Sequence, residues 1–134
     1  MSNQLLTYSY TQKVKQEHID ELNHVNNVIY VQWIQEAAVK HWNIVAPDST
    51  KQNYVWVIVR HEIDYKKPAM LHDELVIETR VLEAQTLTSW RQVKIFRKQD
   101  MRLLVESKTN WCMVDARTQR PARIPEEVKQ IFLG

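Results

Sequence analysis

The chain has 134 residues, 44% of them hydrophobic and 25% charged, with a formal charge of +2; this suits one domain and excludes wholesale disorder. So small a basic excess, with lysines and arginines scattered, lacks the block a nucleic-acid footprint requires. One cysteine, Cys112, excludes an intrachain disulfide and a cysteine-based metal cluster, and the one glycine, Gly134, leaves nothing to build a dinucleotide-binding or P-loop phosphate cradle.

In chain order, Met1–Leu6 carries no apolar signal-peptide core and no run reaches bilayer length, so a cytoplasmic protein with no membrane partner is expected. Residues 5–15 alternate as a strand, and residues 17–26 are polar and irregular. From Asn26 to about Ile44 the period becomes helical. Ile29, Tyr30, Trp33, Ile34, Ala37, Ala38, His41 and Trp42 form one broad apolar face, and Asn26 or Asn27 is suited to cap its start. Pro47-Asp48-Ser49 ends that element. Residues 54–65 read as a long strand, apolar on both faces in its first half like a central strand covered on each side. Pro68 and His72-Asp73 mark a break and a turn, and strands follow at 74–83, 86–98 and 102–115. Within the last of these Cys112 reads as a small buried hydrophobe. Pro125 opens a short terminal helix to Phe132. The order is strand, helix, four strands. Short connections predict antiparallel neighbours among the last four, and the predicted fold is α+β, a sheet wrapped around the one long helix.

Residues 18–30 concentrate polar groups that propensity does not require. Asp20, His24, Asn26 and Asn27 stand just before an apolar helix, whose first turn presents free N–H groups and partial positive charge. A carboxylate held nearby can attack, or activate water against, a carbonyl polarised by those donors, which makes acyl transfer the natural reaction class. The plainer reading makes Asp20 an Asx-turn residue and Asn26-Asn27 an ordinary cap. No serine stands in a Gly-flanked nucleophile turn, and the histidines have no metal-ligand spacing. No metal or redox cofactor is expected.

The run Asp20-Glu21-Leu22-Asn23-His24-Val25-Asn26-Asn27-Val28-Ile29-Tyr30 resembles the signature of the 4-hydroxybenzoyl-CoA thioesterase-like group of hot-dog proteins. The likeness extends to Ile63-Asp64-Tyr65-Lys66-Lys67-Pro68, to Asp73-Glu74-Leu75, and to Trp111-Cys112-Met113-Val114-Asp115 with Arg120-Pro121 and Ile124-Pro125. It implies an acyl-CoA thioesterase whose catalytic carboxylate is Asp20, as nucleophile or general base, and whose oxyanion hole includes the backbone N–H near Asn27. His24 and Asn26 would hold the loop, with His24 also a candidate to orient Asp20 or water, and Tyr30 would border the acyl pocket. Family members place the site between two subunits, which makes a homodimer or homotetramer the expected partner state. Arg60 and His61 become candidate groups from the partner's side. Coenzyme A would enter as part of the substrate, its phosphates met by Lys66, Lys67, Arg91 or Arg97, while Trp33, Trp42, Trp56 and Trp90 could border the acyl tail. An acyl carrier protein thioester is the other carrier. The sequence departs from the pattern at Asn23 and His72, where the family usually has glycine. Asn tolerates a left-handed backbone, so the first turn can survive. A hot-dog hydratase or dehydratase, or a binding module without turnover, are the alternatives.

Overall fold

The computed structural model describes residues 6–134, so the start of the first expected strand, at residue 5, and most of Met1–Leu6 lie outside it. Strand β1 (Thr7–Lys13) leads through a short 3-10 turn (Gln16–His18) to helix α1 (Asn27–Val45). A six-residue helix α2 (Asp48–Asn53) follows, then β2 (Tyr54–Tyr65), β3 (Glu74–Ala84), β4 (Thr88–Arg97), β5 (Arg102–Asp115) and helix α3 (Glu126–Leu133). The five strands form one antiparallel sheet in the order β1-β3-β4-β5-β2.

Period-two alternation decides which strand residues face α1. Leu75, Ile77, Thr79 and Val81 of β3 are buried, as are Ser89, Arg91, Val93 and Ile95 of β4. Against them α1 sets Tyr30, Trp33, Ile34, Ala37, Ala38 and His41, the i, i+3, i+4 face anticipated from the sequence. The core runs continuously from Val14 and Val25 through Trp33 and Ile34 to Ile95 and Leu104. A second cluster at the other end of α1 joins Met113, Val128 and Phe132 to Trp42 and Trp56.

Three expectations are corrected here. Within the single chain residues 54–65 are not a central strand: among the described residues β2 pairs only with β5 and forms an edge of the sheet. Val55, Val57 and Val59 are 41%, 46% and 62% exposed. Nor are β2 and β3 neighbours. Their connection is drawn across the start of α1, where Ala69 N–H donates to Tyr30 Oη at 2.9 Å and Val25 N–H donates to Ala69 O at 3.0 Å. The third is α2, read from the sequence as the mere end of α1. Its residues are polar and show no apolar period, but Asp48 in the first turn suits the helix dipole.

Candidate active site at the start of helix α1

The loop before α1 is built by its own backbone. Ile19 and Val25 form an antiparallel bridge, Asp20 N–H donates to His24 O at 2.8 Å, and Asn26 N–H donates to His18 O at 2.9 Å. Asn23 closes the turn with φ of 66°, and His72 takes φ of 76° in the facing connection. Both residues that stand where glycine was expected therefore adopt the left-handed backbone the turns require. His18, buried, accepts from Lys15 N–H through Nδ1 at 2.9 Å and packs edge-on against Trp33.

Asp20 is half-buried. Its Oδ1 accepts from Leu22 N–H at 2.9 Å and His24 N–H at 3.3 Å, so the Asx-turn geometry is present. Oδ2 makes no hydrogen bond with the described residues and is left for other work. Asn26 is the N-cap, its Oδ1 accepting from Val28 N–H at 3.0 Å while its carbonyl accepts from Ile29 N–H at 2.9 Å. Asn27 N–H, the first donor of the helix, meets no protein acceptor among the described residues.

Asp20, His24, Asn26, Asn27 and Tyr30 line one open cavity of about 370 Å³, together with Tyr65, Lys66 and Lys67. The structure thus brings together the carboxylate, the free helix-start donor and two of the four cations proposed for phosphate. Tyr30 is buried, and desolvation, the largest influence on its phenol, raises its pKa. Its oxygen anchors Ala69 and so fixes the segment that carries Lys66 and Lys67. The imidazole of His24 makes no hydrogen bond to Asp20; the His24 backbone alone links the two, its N–H donating to Asp20 Oδ1 and its carbonyl accepting from Asp20 N–H.

Arg60 and His61 stand apart from this cavity. Arg60 is exposed and pairs with Glu62 at 3.1 Å. His61 Nδ1 lies 2.8 Å from Thr109 Oγ1, and burial lowers the pKa of its imidazole. Two further candidates are corrected. Arg91 is no surface cation, because its strand parity turns it into the core, where Nη1 donates to His41 Nδ1 at 2.9 Å and Thr79 Oγ1 at 3.0 Å. Arg97 is committed to Asp100 at 2.7 Å. Of the tryptophans, Trp33 is core and Trp90 lies on the sheet face away from α1, whereas Trp42 and Trp56 line a second cavity with Trp111, which was not among the tryptophans expected beside an acyl tail. Cys112 is half-buried, its Sγ 3.5 Å from Met113 O. Among the described residues no three His, Cys, Asp or Glu side chains converge as metal ligands would, and no helix is long and apolar enough to cross a membrane.

Residues 14–132 match the thioesterase-like superfamily. The long-chain acyl-CoA thioesterase FadM of Escherichia coli (strain K12) is 25% identical over 123 residues, covering 88% of this chain and 91% of that protein. Slr0204, a 1,4-dihydroxy-2-naphthoyl-CoA thioesterase from Synechocystis, superposes with a TM-score of 0.79 at 17% identity, over 94% of this chain and 95% of its own. YbaW, a probable thioesterase from Escherichia coli, gives a TM-score of 0.79 at 24% identity over 92% and 94%. Those superpositions carry the fold, a sheet wrapped on one helix, and the matched length carries the family. The chain belongs to the thioesterase-like superfamily and is a thioester hydrolase of the hot-dog fold.

Proposed function

We propose that the chain hydrolyses an acyl-CoA thioester to the free acid and coenzyme A, with Asp20 as the working carboxylate and the start of α1 as the oxyanion hole. One observation carries this reading: Asp20 and the unaccepted N–H of Asn27 border the same cavity. A thioester carbonyl set between them would be polarised by that N–H, which aligns with the positive end of the helix dipole. With Oδ1 held by Leu22 and His24, Oδ2 is the oxygen that acts. As a base it takes a proton from water, whose oxygen bonds to the carbonyl carbon; the C–S bond then breaks and the thiolate is protonated. As a nucleophile it bonds to that carbon itself, expels the thiolate and leaves an anhydride for water to open. Lys66 and Lys67 flank the cavity and suit the phosphates of coenzyme A. The FadM likeness supports the acyl-CoA class.

The same reading makes the unit of function a homodimer joined along β2. That strand is 12 residues long, has an open hydrogen-bonding edge and exposes three valines. Such an edge is a template for pairing with another strand. Pairing it with its own copy would bring Arg60 and His61 toward the partner's site. Val57→Lys should yield monomers by analytical ultracentrifugation and lose most turnover; an unchanged oligomeric state would remove this part of the proposal.

The test of the chemistry is thiol release over a series of acyl-CoAs by the wild type and Asp20→Asn. Release by the wild type and its loss in the variant is expected. Binding without release would leave a non-catalytic module, and water addition to enoyl thioesters would leave a hydratase. Single-turnover reaction in oxygen-labelled water tests the nucleophilic role: label in the Asp20 carboxyl requires an anhydride opened by water at the Asp20 carbon, because general-base hydrolysis places label in the released acid.

A further inference from the structure

The second cavity lies at the other end of α1, about 22 Å along the helix from Asn27 to Trp42 at ~1.5 Å per residue. It has a volume of about 240 Å³ and its walls are mainly aromatic and aliphatic, with Ala38, Trp42, Trp56, Val81 and Phe132 among them. Two cations line it: Lys51, which pairs with Asp48 at 3.4 Å and donates to Asn43 O at 3.1 Å, and Arg91, which has no such partner. Arg91 is 6% exposed, its guanidinium lies 5.4 Å from the centre of the Phe132 ring, and no carboxylate pairs with it among the described residues. Neither Asp nor Glu lines the cavity.

A guanidinium has five N–H donors and no acceptor. Nη1 uses two, toward His41 Nδ1 and Thr79 Oγ1. Since arginine can only donate, His41 Nδ1 must offer its lone pair, so that contact supplies no negative charge. The Nε–H and both Nη2–H groups meet no protein acceptor among the described residues. They are also not among the polar atoms sealed from solvent without a partner. Trp111, on the adjoining strand β5, adds an indole N–H that is buried without an acceptor. A buried cation with open donors is destabilising until an anion meets it. The Nε and Nη2 edge is the fork that takes a carboxylate through two parallel hydrogen bonds.

We propose that this cavity binds a carboxylate carried on an apolar ring or short chain, with Arg91 as its anion-binding group. The volume is at or below the low end for ligand pockets (~300–1,000 Å³), so the ligand is compact. Two sources share this chemistry, a free acid and the far carboxylate of an acyl group whose thioester sits at a neighbouring site. The site stands independently of the hydrolytic reading, because occupancy needs no turnover.

Trp42, Trp56 and Trp111 border the cavity, so tryptophan fluorescence and calorimetry both report its filling. Hexanoate and 3-phenylpropionate are titrated at pH 7 beside hexan-1-ol and 3-phenylpropan-1-ol. The acids should bind roughly 10-fold to 100-fold more tightly than the matching alcohols, the range expected for a hydrogen-bonded charge. Arg91→Met should erase that difference. Equal affinity of acid and alcohol for the wild type, or no binding of either acid, overturns the proposal without any variant. Ala38→Leu, which narrows the cavity and keeps the arginine, should weaken the acids; undiminished affinity would place them elsewhere and also overturn it. Thiol release from adipoyl-CoA against hexanoyl-CoA then distinguishes the sources. Preference for the diacid identifies the far end of the acyl group, and equal rates alongside acid binding identify the free acid. A chain that releases no thiol from any substrate fails the hydrolytic reading and still answers the binding question.

Discussion

The two ends of α1 present polarity in opposite ways. At its start, the polar groups are mostly exposed or half-buried and loop-borne, and the decisive donor is a backbone N–H that the helix geometry leaves over at Asn27. At its far end the surroundings are mainly apolar and aromatic, Lys51 is already paired with Asp48, and the donor without a carboxylate is a side chain, Arg91, held inside the core. A backbone donor fixed by a helix cannot reorient, which suits a charge that develops during reaction. A buried guanidinium carries a standing charge, which suits recognition of a group already ionised. On the proposed reading, the start of α1 serves the chemistry and the far end the binding of a carboxylate.

The strongest way to break that division is Asp20→Asn. The amide keeps an oxygen to accept from Leu22 and His24, so the loop should persist while the carboxylate is lost. Turnover should fall ~10²–10⁴-fold, with the melting temperature and the acid affinity at the far end unchanged. Retained turnover would take chemistry away from the helix start. Tyr30→Phe probes the scaffold of the same end. It strands the buried N–H of Ala69, at a cost of about 1–3 kcal/mol in chemical denaturation. It should also loosen Lys66 and Lys67, raising KM more than it lowers kcat. Asn26→Ala is smaller still, about 0.5–2 kcal/mol for a lost cap. A KM that stays put in Tyr30→Phe would separate those lysines from the substrate.

The start of α1 is more legible in the sequence than its far end, for physical reasons. The helical period through Tyr30, Trp33, Ile34 and Ala37, and the alternation of β3, state which face is buried, and burial is what pattern encodes. Asp20 and the cap are contiguous, so one segment displays them together. Pattern does not encode which strand neighbours which. Hence residues 54–65 read as a central strand, although among the described residues β5 is the one partner of β2 and its exposed valines belong to an edge of the single chain. The cavity at the far end draws on α1, α2, β2, β3, β4, β5 and α3, so no single segment could reveal it. Arg91 was legible in principle. Ser89, Arg91, Val93 and Ile95 share one parity, and two of them are aliphatic, so an inward arginine could have been inferred.

The smallest expected effect tests why Arg91 differs from its neighbour on β4. Arg97 has the same parity but sits at the strand's end, where the turn returns Asp100 to it. Nε and Nη2 donate to the two carboxylate oxygens at 3.1 and 2.7 Å. Arg97's hydrogen bonds, the largest influence, hold the Asp100 carboxyl down at about 2 from an ordinary 3.8. The folded pKa lies below the unfolded one, so as pH falls the unfolded chain takes up the proton first. The pair's contribution is present above pH 3.8 and lost as pH falls through about 2. Being exposed, it is small and screened by salt. The melting temperature of the wild type should exceed that of Asp100→Asn slightly at pH 6, and the gap should close toward pH 2. A gap independent of pH would mean that the oxygen's bond to Arg102 N–H matters and the charge does not. A gap that closes identifies Arg97 as a guanidinium answered from within the chain, whereas Arg91, with no carboxylate on any wall of its cavity, has its answer still to come from a ligand.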